Sequence, residues 1–324
     1  MRVLILSEED VRAALEMAPC IEAMEQALTA LARGQVHNPL RSVVRPAEAS
    51  TLLGLMPVHR GGDAPAYALK EVVVAPGNPA RGLDTHQGAV LLHDGTTGRL
   101  TAVVNASAVT EIRTAAVSAV ATRALARPGA RTVAVVGAGV QGRSHVEAMR
   151  AVLGDDSEVR LASRTPQRAR ALAAQTGASV AAGAEEAVDG ADVVCTVTSS
   201  AEPVLRRAWL APGAHVNAVG SSLRSARELD TETIRDAALF VDRRESALAE
   251  AGDLLLAGRE DPAVGASHIR AELGEVLTGA HPGRTTDDEL TVFESLGLAV
   301  EDLAAAELAV ARAREDGIGL EVEL

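Results

Sequence analysis

At 324 residues the chain is longer than one ordinary core needs, so two domains are expected. Aromatic residues make up only 1% against 47% apolar residues overall; the core must be packed with Ala, Val and Leu, and too few rings exist to stack single-stranded nucleic acid. The net charge of −13 weighs against a polyanionic partner and hence against nucleic acid.

The stretch from Met1 to Asp10 is a short apolar run ending in three acids, unlike a secretory signal, and no run reaches the length of a membrane span. A soluble cytoplasmic chain without membrane association is expected. Val3 to Leu6 reads as a strand, and Ser7 before Glu8, Glu9 and Asp10 as a helix N-cap. A second helix is predicted after Pro19, with Ile21, Met24, Leu28 and Leu31 on one face, ending near Gly34. Short strands follow at Ser42 to Val44, Thr51 to Met56, Ala68 to Val74, Ala89 to Leu92 and Thr101 to Val104, with a turn at Asp94-Gly95. Thr110 to Leu125 reads as an Ala-rich helix stopped by Pro128 and Gly129. Cys20 and Cys195 lie in apolar stretches without Cys or His at ligand spacing, so buried thiols and no metal site are expected.

From Arg131 the pattern changes to alternation: strands at Thr132 to Val136, Val159 to Ala162, Val193 to Val197, His215 to Val219 and Leu239 to Val241, separated by helices. Alternation of this kind predicts an α/β fold, a doubly wound parallel sheet of Rossmann type. Ser295 to Glu315 reads as a long helix returning to the first domain. That domain would then be an α+β domain built from both chain ends, residues 1–127 and 300–324, with the parallel-sheet domain over 128–299.

Gly137-Ala138-Gly139-Val140-Gln141-Gly142 follows an apolar strand and opens a helix, the setting in which G-x-G-x-x-G indicates a dinucleotide site. Gly137 permits the tight turn, Gly139 a close approach of backbone to pyrophosphate, and Gly142 close packing of helix on strand. The next strand ends in Ser163-Arg164-Thr165, where an NAD site would carry an acid for the ribose hydroxyls. A guanidinium flanked by two hydroxyls suits a 2′-phosphate instead, so NADP(H) is favoured over NAD(H).

Lys70 is the only lysine in the chain; every other Lys-or-Arg position is arginine. Lysine can give up its proton when buried and arginine cannot, so Lys70 is the first candidate for catalysis. Arg41, Lys70, His86 and Arg113 lie outside the nucleotide domain's fingerprint. Arg113 sits in an apolar helix, where it needs an anion, and cations of this kind suit a carboxylate substrate. For each arginine a salt bridge to a nearby acid is the plainer alternative.

These segments resemble the ornithine cyclodeaminase/mu-crystallin family, and within it the mu-crystallin (ketimine reductase) branch, over nearly the whole chain. The resemblance is carried by Leu53-Gly54-Leu55-Met56-Pro57, Lys70, His86-Gln87, Ile112 to Ala119, the glycine fingerprint with Gln141, Pro212 to Gly220, Arg227-Glu228-Leu229-Asp230, Ala271 to Val276 and Thr291 to Gly297. It implies a homodimer, an NAD(P)-binding domain over 128–299, a substrate-binding and dimerisation domain formed by 1–127 and 300–324, and a small carboxylate imine or amino-acid substrate. Arg41, Lys70 and Arg113 would hold the substrate carboxylate near the nicotinamide, with Met56 and His86 beside them. Thr114, Thr196, Val219, Gly220, Ser222 and Ser295-Leu296-Gly297 would join Gly137, Gly139, Val140, Gln141, Gly142, Ser163, Arg164 and Thr165 around the cofactor.

One departure bears on activity. The deaminating members carry an aspartate where this chain has Ser222. Forming ammonia from an amino acid requires proton transfer near the nicotinamide, a task for a carboxylate. A cyclic imine can be protonated on its ring nitrogen before it binds. The expected activity is therefore NADPH-dependent reduction of cyclic ketimine carboxylates to proline or pipecolate. An ornithine cyclodeaminase or alanine dehydrogenase, with Glu228 replacing the missing acid, and a non-catalytic NADPH-dependent binder are the alternatives.

Overall fold

The structure is a computed structural model describing residues 2–324. The chain folds as two compact units, one holding the chain up to Arg113 together with Leu298–Leu324, the other Thr114–Gly297. The helix Ala106–Leu125 crosses from one to the other, whereas the sequence placed the boundary after it.

The first unit is built on an eight-stranded sheet. Its strands run Leu320–Glu323, Arg2–Leu6, Leu100–Asn105, His86–Asp94, Ala66–Val74, Leu52–Arg60 and Val36–His37, with Ser42–Val44 also pairing with Leu52–Arg60. Asp94 closes the hairpin after His86–Asp94 by accepting from the amides of Thr96 and Thr97. Along Ala66–Val74 the residues Ala66, Ala68, Lys70 and Val72 are buried and alternate with more exposed neighbours, so Lys70 lies on the covered side. The helix Ala299–Asp316 packs on this strand, on its neighbours and on the helix Met17–Ala32. Ser7 caps the first helix in a reciprocal box with Asp10.

The second unit is an all-parallel eight-stranded sheet in the order Ser179–Val180, Glu158–Ala162, Thr132–Val136, Val193–Thr196, His215–Ala218, Thr291–Glu294, Ala238–Val241, Ile269–Glu272. This is the α/β doubly wound architecture that the alternating pattern predicted. Its core is almost wholly Ala, Val, Leu and Ile. Both cysteines are buried and unpaired. Among the described residues no helix is long and apolar enough to cross a membrane.

Several element bounds differ from the sequence reading. The second helix begins at Met17, with Pro19 inside its first turn, where the missing N–H has no helical acceptor anyway. The third begins at Ala106 because the Asn105 side chain caps the amide of Ala108. The last begins at Ala299, not Ser295, because the preceding amides are held elsewhere: Ser295 N–H donates to the Ala218 carbonyl, and those of Leu296 and Gly297 to Asp242. Strands at Val36–His37, Ser179–Val180, Ile269–Glu272, Thr291–Glu294 and Leu320–Glu323 were missed. Each has at most four residues, too short for a periodic signal.

Candidate functional site

The alternation of one strand, the middle of the helix Ala106–Leu125 and the first turn of the helix Ala299–Asp316 bring four charges together inside the first unit. Lys70 Nζ lies 2.8 Å from both carboxylate oxygens of Asp302. Arg113 Nε meets the same carboxylate at 3.1 Å, and its Nη1 donates to Glu301 at 2.7 Å. All four side chains are buried. Acids in a helix's first turn are favoured by the helix dipole. Here they also offset two cations that could not otherwise be buried. Lys70 further donates to Thr110 Oγ1 at 3.4 Å. Burial pushes the Lys70 ammonium down to about 8; Asp302 opposes the shift, while Arg113 and Arg41 add to it.

The other candidates gather around this cluster. Met56 is buried and sits opposite Lys70 in the strand register. Arg41 is half-buried just before the strand Ser42–Val44 and acts electrostatically on Lys70. His86 opens the strand beside that of Lys70 and reaches solvent; partial desolvation and the Lys70 and Arg113 charges lower its pKa. Glu111 is paired with Arg12 at 2.5 Å.

In the second unit the fingerprint forms a tight cradle. Gly137 has φ +128, and a Cβ there would lie 2.7 Å from the Val197 carbonyl oxygen. A Cβ on Gly142 would lie 2.3 Å from the Gly137 carbonyl oxygen, so helix and strand are packed as closely as backbone allows. Beside Gly139 the space is open, and no side chain caps the helix Val140–Leu153 that begins there. An exposed helix N-terminus with free room in front of it fits a pyrophosphate. Ser163, Arg164 and Thr165 follow the next strand, with Arg164 and Thr165 exposed.

Three buried carboxylates shape the loops at the ends of the parallel strands. Glu228 accepts from the amides of Thr198 at 2.6 Å and Gly220 at 2.7 Å. Asp253 accepts from Glu228 and Leu229 at 2.8 and 2.9 Å. Asp242 takes the amides of Leu296 and Gly297 at 2.7 and 2.8 Å. Loops that carry Val219, Gly220, Ser295, Leu296 and Gly297 are thus fixed by charge-assisted bonds to backbone.

Residues 1–317 match the model of the Ornithine cyclodeaminase/mu-crystallin family. The chain belongs to this family. It is 42% identical over 309 residues to a ketimine reductase mu-crystallin of Mus musculus, covering 94% of this chain and 95% of that one. It superimposes with a TM-score of 0.93 on the Δ1-pyrroline-2-carboxylate reductase of Thermococcus litoralis in complex with NADH and L-proline, at 34% identity, covering 99% and 100% of the two chains. An archaeal alanine dehydrogenase dimer with bound NAD gives the same TM-score at 32% identity, with 100% of both chains covered. As a family member with such relatives, the chain is an NAD(P)H-dependent oxidoreductase.

For this family member, sequence reasoning found the cations and missed their counter-ions. Glu301 and Asp302 fall in a helix read only as Ala-rich, and nothing in their spacing to Lys70 or Arg113 reveals the pairing. Arg113 does meet anions, as an arginine in an apolar helix must, and they belong to the protein itself. Thr114 and Thr196 are buried, Thr196 at the end of its strand. Ser222 lies partly exposed in the loop after His215–Ala218. Glu228, the alternative acid for that loop, is held against it by the Gly220 amide. Burial raises it to about 7, yet both its oxygens are occupied by backbone amides.

Proposed function

We propose that this enzyme reduces cyclic ketimine carboxylates, such as Δ1-pyrroline-2-carboxylate or Δ1-piperideine-2-carboxylate, to proline or pipecolate with NADPH. The observation that carries this reading is the pair of buried cations, Lys70 and Arg113, meeting on one carboxylate in the first unit. Arg41, Lys70 and Arg113 orient the substrate carboxylate. For an imine that binds unprotonated, Lys70 supplies the proton that the ring nitrogen carries in the product. Met56 gives the ring an apolar wall, and His86 borders the same site. Gly137, Gly139, Val140, Gln141 and Gly142 hold the cofactor pyrophosphate. Thr114, Thr196, Val219, Gly220, Ser222, Ser295, Leu296 and Gly297 line the rest of the cofactor site. NADPH, when bound, supplies the hydride. The names of the Mus musculus and Thermococcus litoralis relatives support the imine substrate, and Ser222 in place of an acid speaks against deamination.

The test is direct. Purified protein is mixed with NADPH and Δ1-pyrroline-2-carboxylate and followed at the nicotinamide band, while a parallel sample receives NAD and L-ornithine. Rapid NADPH loss with no proline or ammonia from ornithine is expected. Release of ammonia and proline from ornithine would replace the reductase with a cyclodeaminase.

NADP preference rests on Arg164. Arg164→Asp exchanges the phosphate partner for a ribose-hydroxyl acceptor, and should raise the KM for NADPH about tenfold or more while lowering that for NADH. Steady-state kinetics with both cofactors reads the switch; an unchanged ratio would remove Arg164 from the cofactor site. The enzyme is a homodimer in this reading. The first unit leaves Val43, Val44, Tyr67 and Val73 exposed on and beside its sheet, a patch suited to a second copy.

A further inference from the structure

We propose that Asp302, through the carboxylate it shares between Lys70 and Arg113, acts as the positioning residue that keeps Lys70 charged and so sets the pH at which the enzyme loses its acid. The inference rests on the reductase reading for its kinetic consequence, and on geometry alone for the coupling.

The shared carboxylate is unusual in what it faces. Both of its oxygens lie 2.8 Å from Lys70 Nζ, and one of them also takes Arg113 Nε at 3.1 Å. Arg113 has a second acid, Glu301 at 2.7 Å, whereas the acid paired with Lys70 is Asp302. The other charged or titratable groups around Lys70 come from several elements. Arg113 lies on the helix Ala106–Leu125, Arg41 ahead of the strand Ser42–Val44, and His86 at the start of the neighbouring strand. Glu301 precedes Asp302 on the last helix, and Cys20 on the second helix feels Arg113 and Glu301. Of these, Arg113 and Arg41 repel the Lys70 ammonium. A buried ammonium beside two guanidinium groups would shed its proton without a carboxylate in contact. Asp302 supplies that carboxylate.

The chemical consequence concerns where the product's N–H proton comes from. When a neutral imine is reduced, the C=N π bond breaks, the carbon accepts a hydride from the reduced nicotinamide, and the nitrogen accepts a proton from the Lys70 ammonium. One C–H and one N–H bond form, the nicotinamide is oxidised, and Lys70 is left neutral until a proton returns from water. Without Asp302, Lys70 would give up its proton at lower pH.

Because Lys70 is the only lysine, protein grown on lysine labelled with ¹³C at Cε gives one side-chain resonance, and its titration reads Lys70 directly without substrate. In Asp302→Asn the midpoint should fall by about one pH unit or more, and Asp302→Glu should restore it. With imine and NADPH, the high-pH limb of kcat/KM should coincide with the Lys70 midpoint in the wild-type enzyme and move with it in Asp302→Asn. In Lys70→Arg that limb should disappear. An unmoved Lys70 midpoint in Asp302→Asn overturns the proposal. Should that variant not fold, a wild-type kinetic limb more than about one unit from the Lys70 midpoint overturns it instead. A wild-type protein inert toward imines would refute the reductase reading, and the resonance would still decide whether Asp302 governs Lys70.

Discussion

Lys70→Ala should bind NADPH with unchanged affinity and lose about 10²- to 10⁴-fold in kcat/KM toward the cyclic imine. The two halves of this expectation separate because Lys70 belongs to the first unit and the glycine cradle to the second. Cofactor fluorescence measures the first half and steady-state turnover the second. The loss should be shared between KM and kcat, since in the proposed mechanism Lys70 both attracts the substrate carboxylate and donates a proton. Asp302 keeps Arg113 as a partner in the variant, so no buried acid is left without a cation. Turnover equal to wild type would remove Lys70 from the mechanism. Intact NADPH binding with no turnover of any imine would be the behaviour expected if Lys70 is the acid.

Gly137→Ala should abolish measurable NADPH binding at micromolar cofactor and lower the melting temperature by several degrees. Two independent obstacles meet at this position. The backbone has φ +128, where an L side chain is strained by about 1–3 kcal/mol. The added Cβ would also lie 2.7 Å from the Val197 carbonyl oxygen, which belongs to the neighbouring strand connection and cannot rotate away. The turn must open, and with it the start of the helix Val140–Leu153 that faces the phosphates. A thermal melt with and without NADPH reports both effects. If the variant melts as wild type and is still stabilised by NADPH, the turn does not form the cofactor cradle.

The legible parts of the fold were those with local signals. The parallel sheet followed from alternating strands and helices, and the cradle from glycines whose crowding is now visible at Gly137 and Gly142. The Ser7 cap and the Asp94 turn were legible because a side chain bonds a backbone amide two or three residues away. What escaped was long-range. Asp302 is 232 positions from Lys70, and Glu228 is 30 from the Thr198 amide it holds. Charges of opposite sign at such separations leave no periodic trace in one sequence. The start of the last helix was misplaced for the same reason, since Asp242 removes the Leu296 and Gly297 amides from helical use across 54 and 55 positions.

The first unit is completed by the end of the chain, and this orders its assembly on the ribosome. The second unit has all its residues once Gly297 has been added, before the helix Ala299–Asp316 that completes the first. Lys70 and Arg113 are synthesised early and must wait, solvated, until Glu301 and Asp302 arrive with the helix Ala299–Asp316. The final strand, Leu320–Glu323, then zips against Arg2–Leu6 at the other end of the polypeptide. A ribosome that stalls before codon 299 therefore releases a chain with a finished nucleotide fold and an unneutralised pair of cations. Such a product has a hole where its last helix belongs, a feature by which a protease could tell it from the finished enzyme.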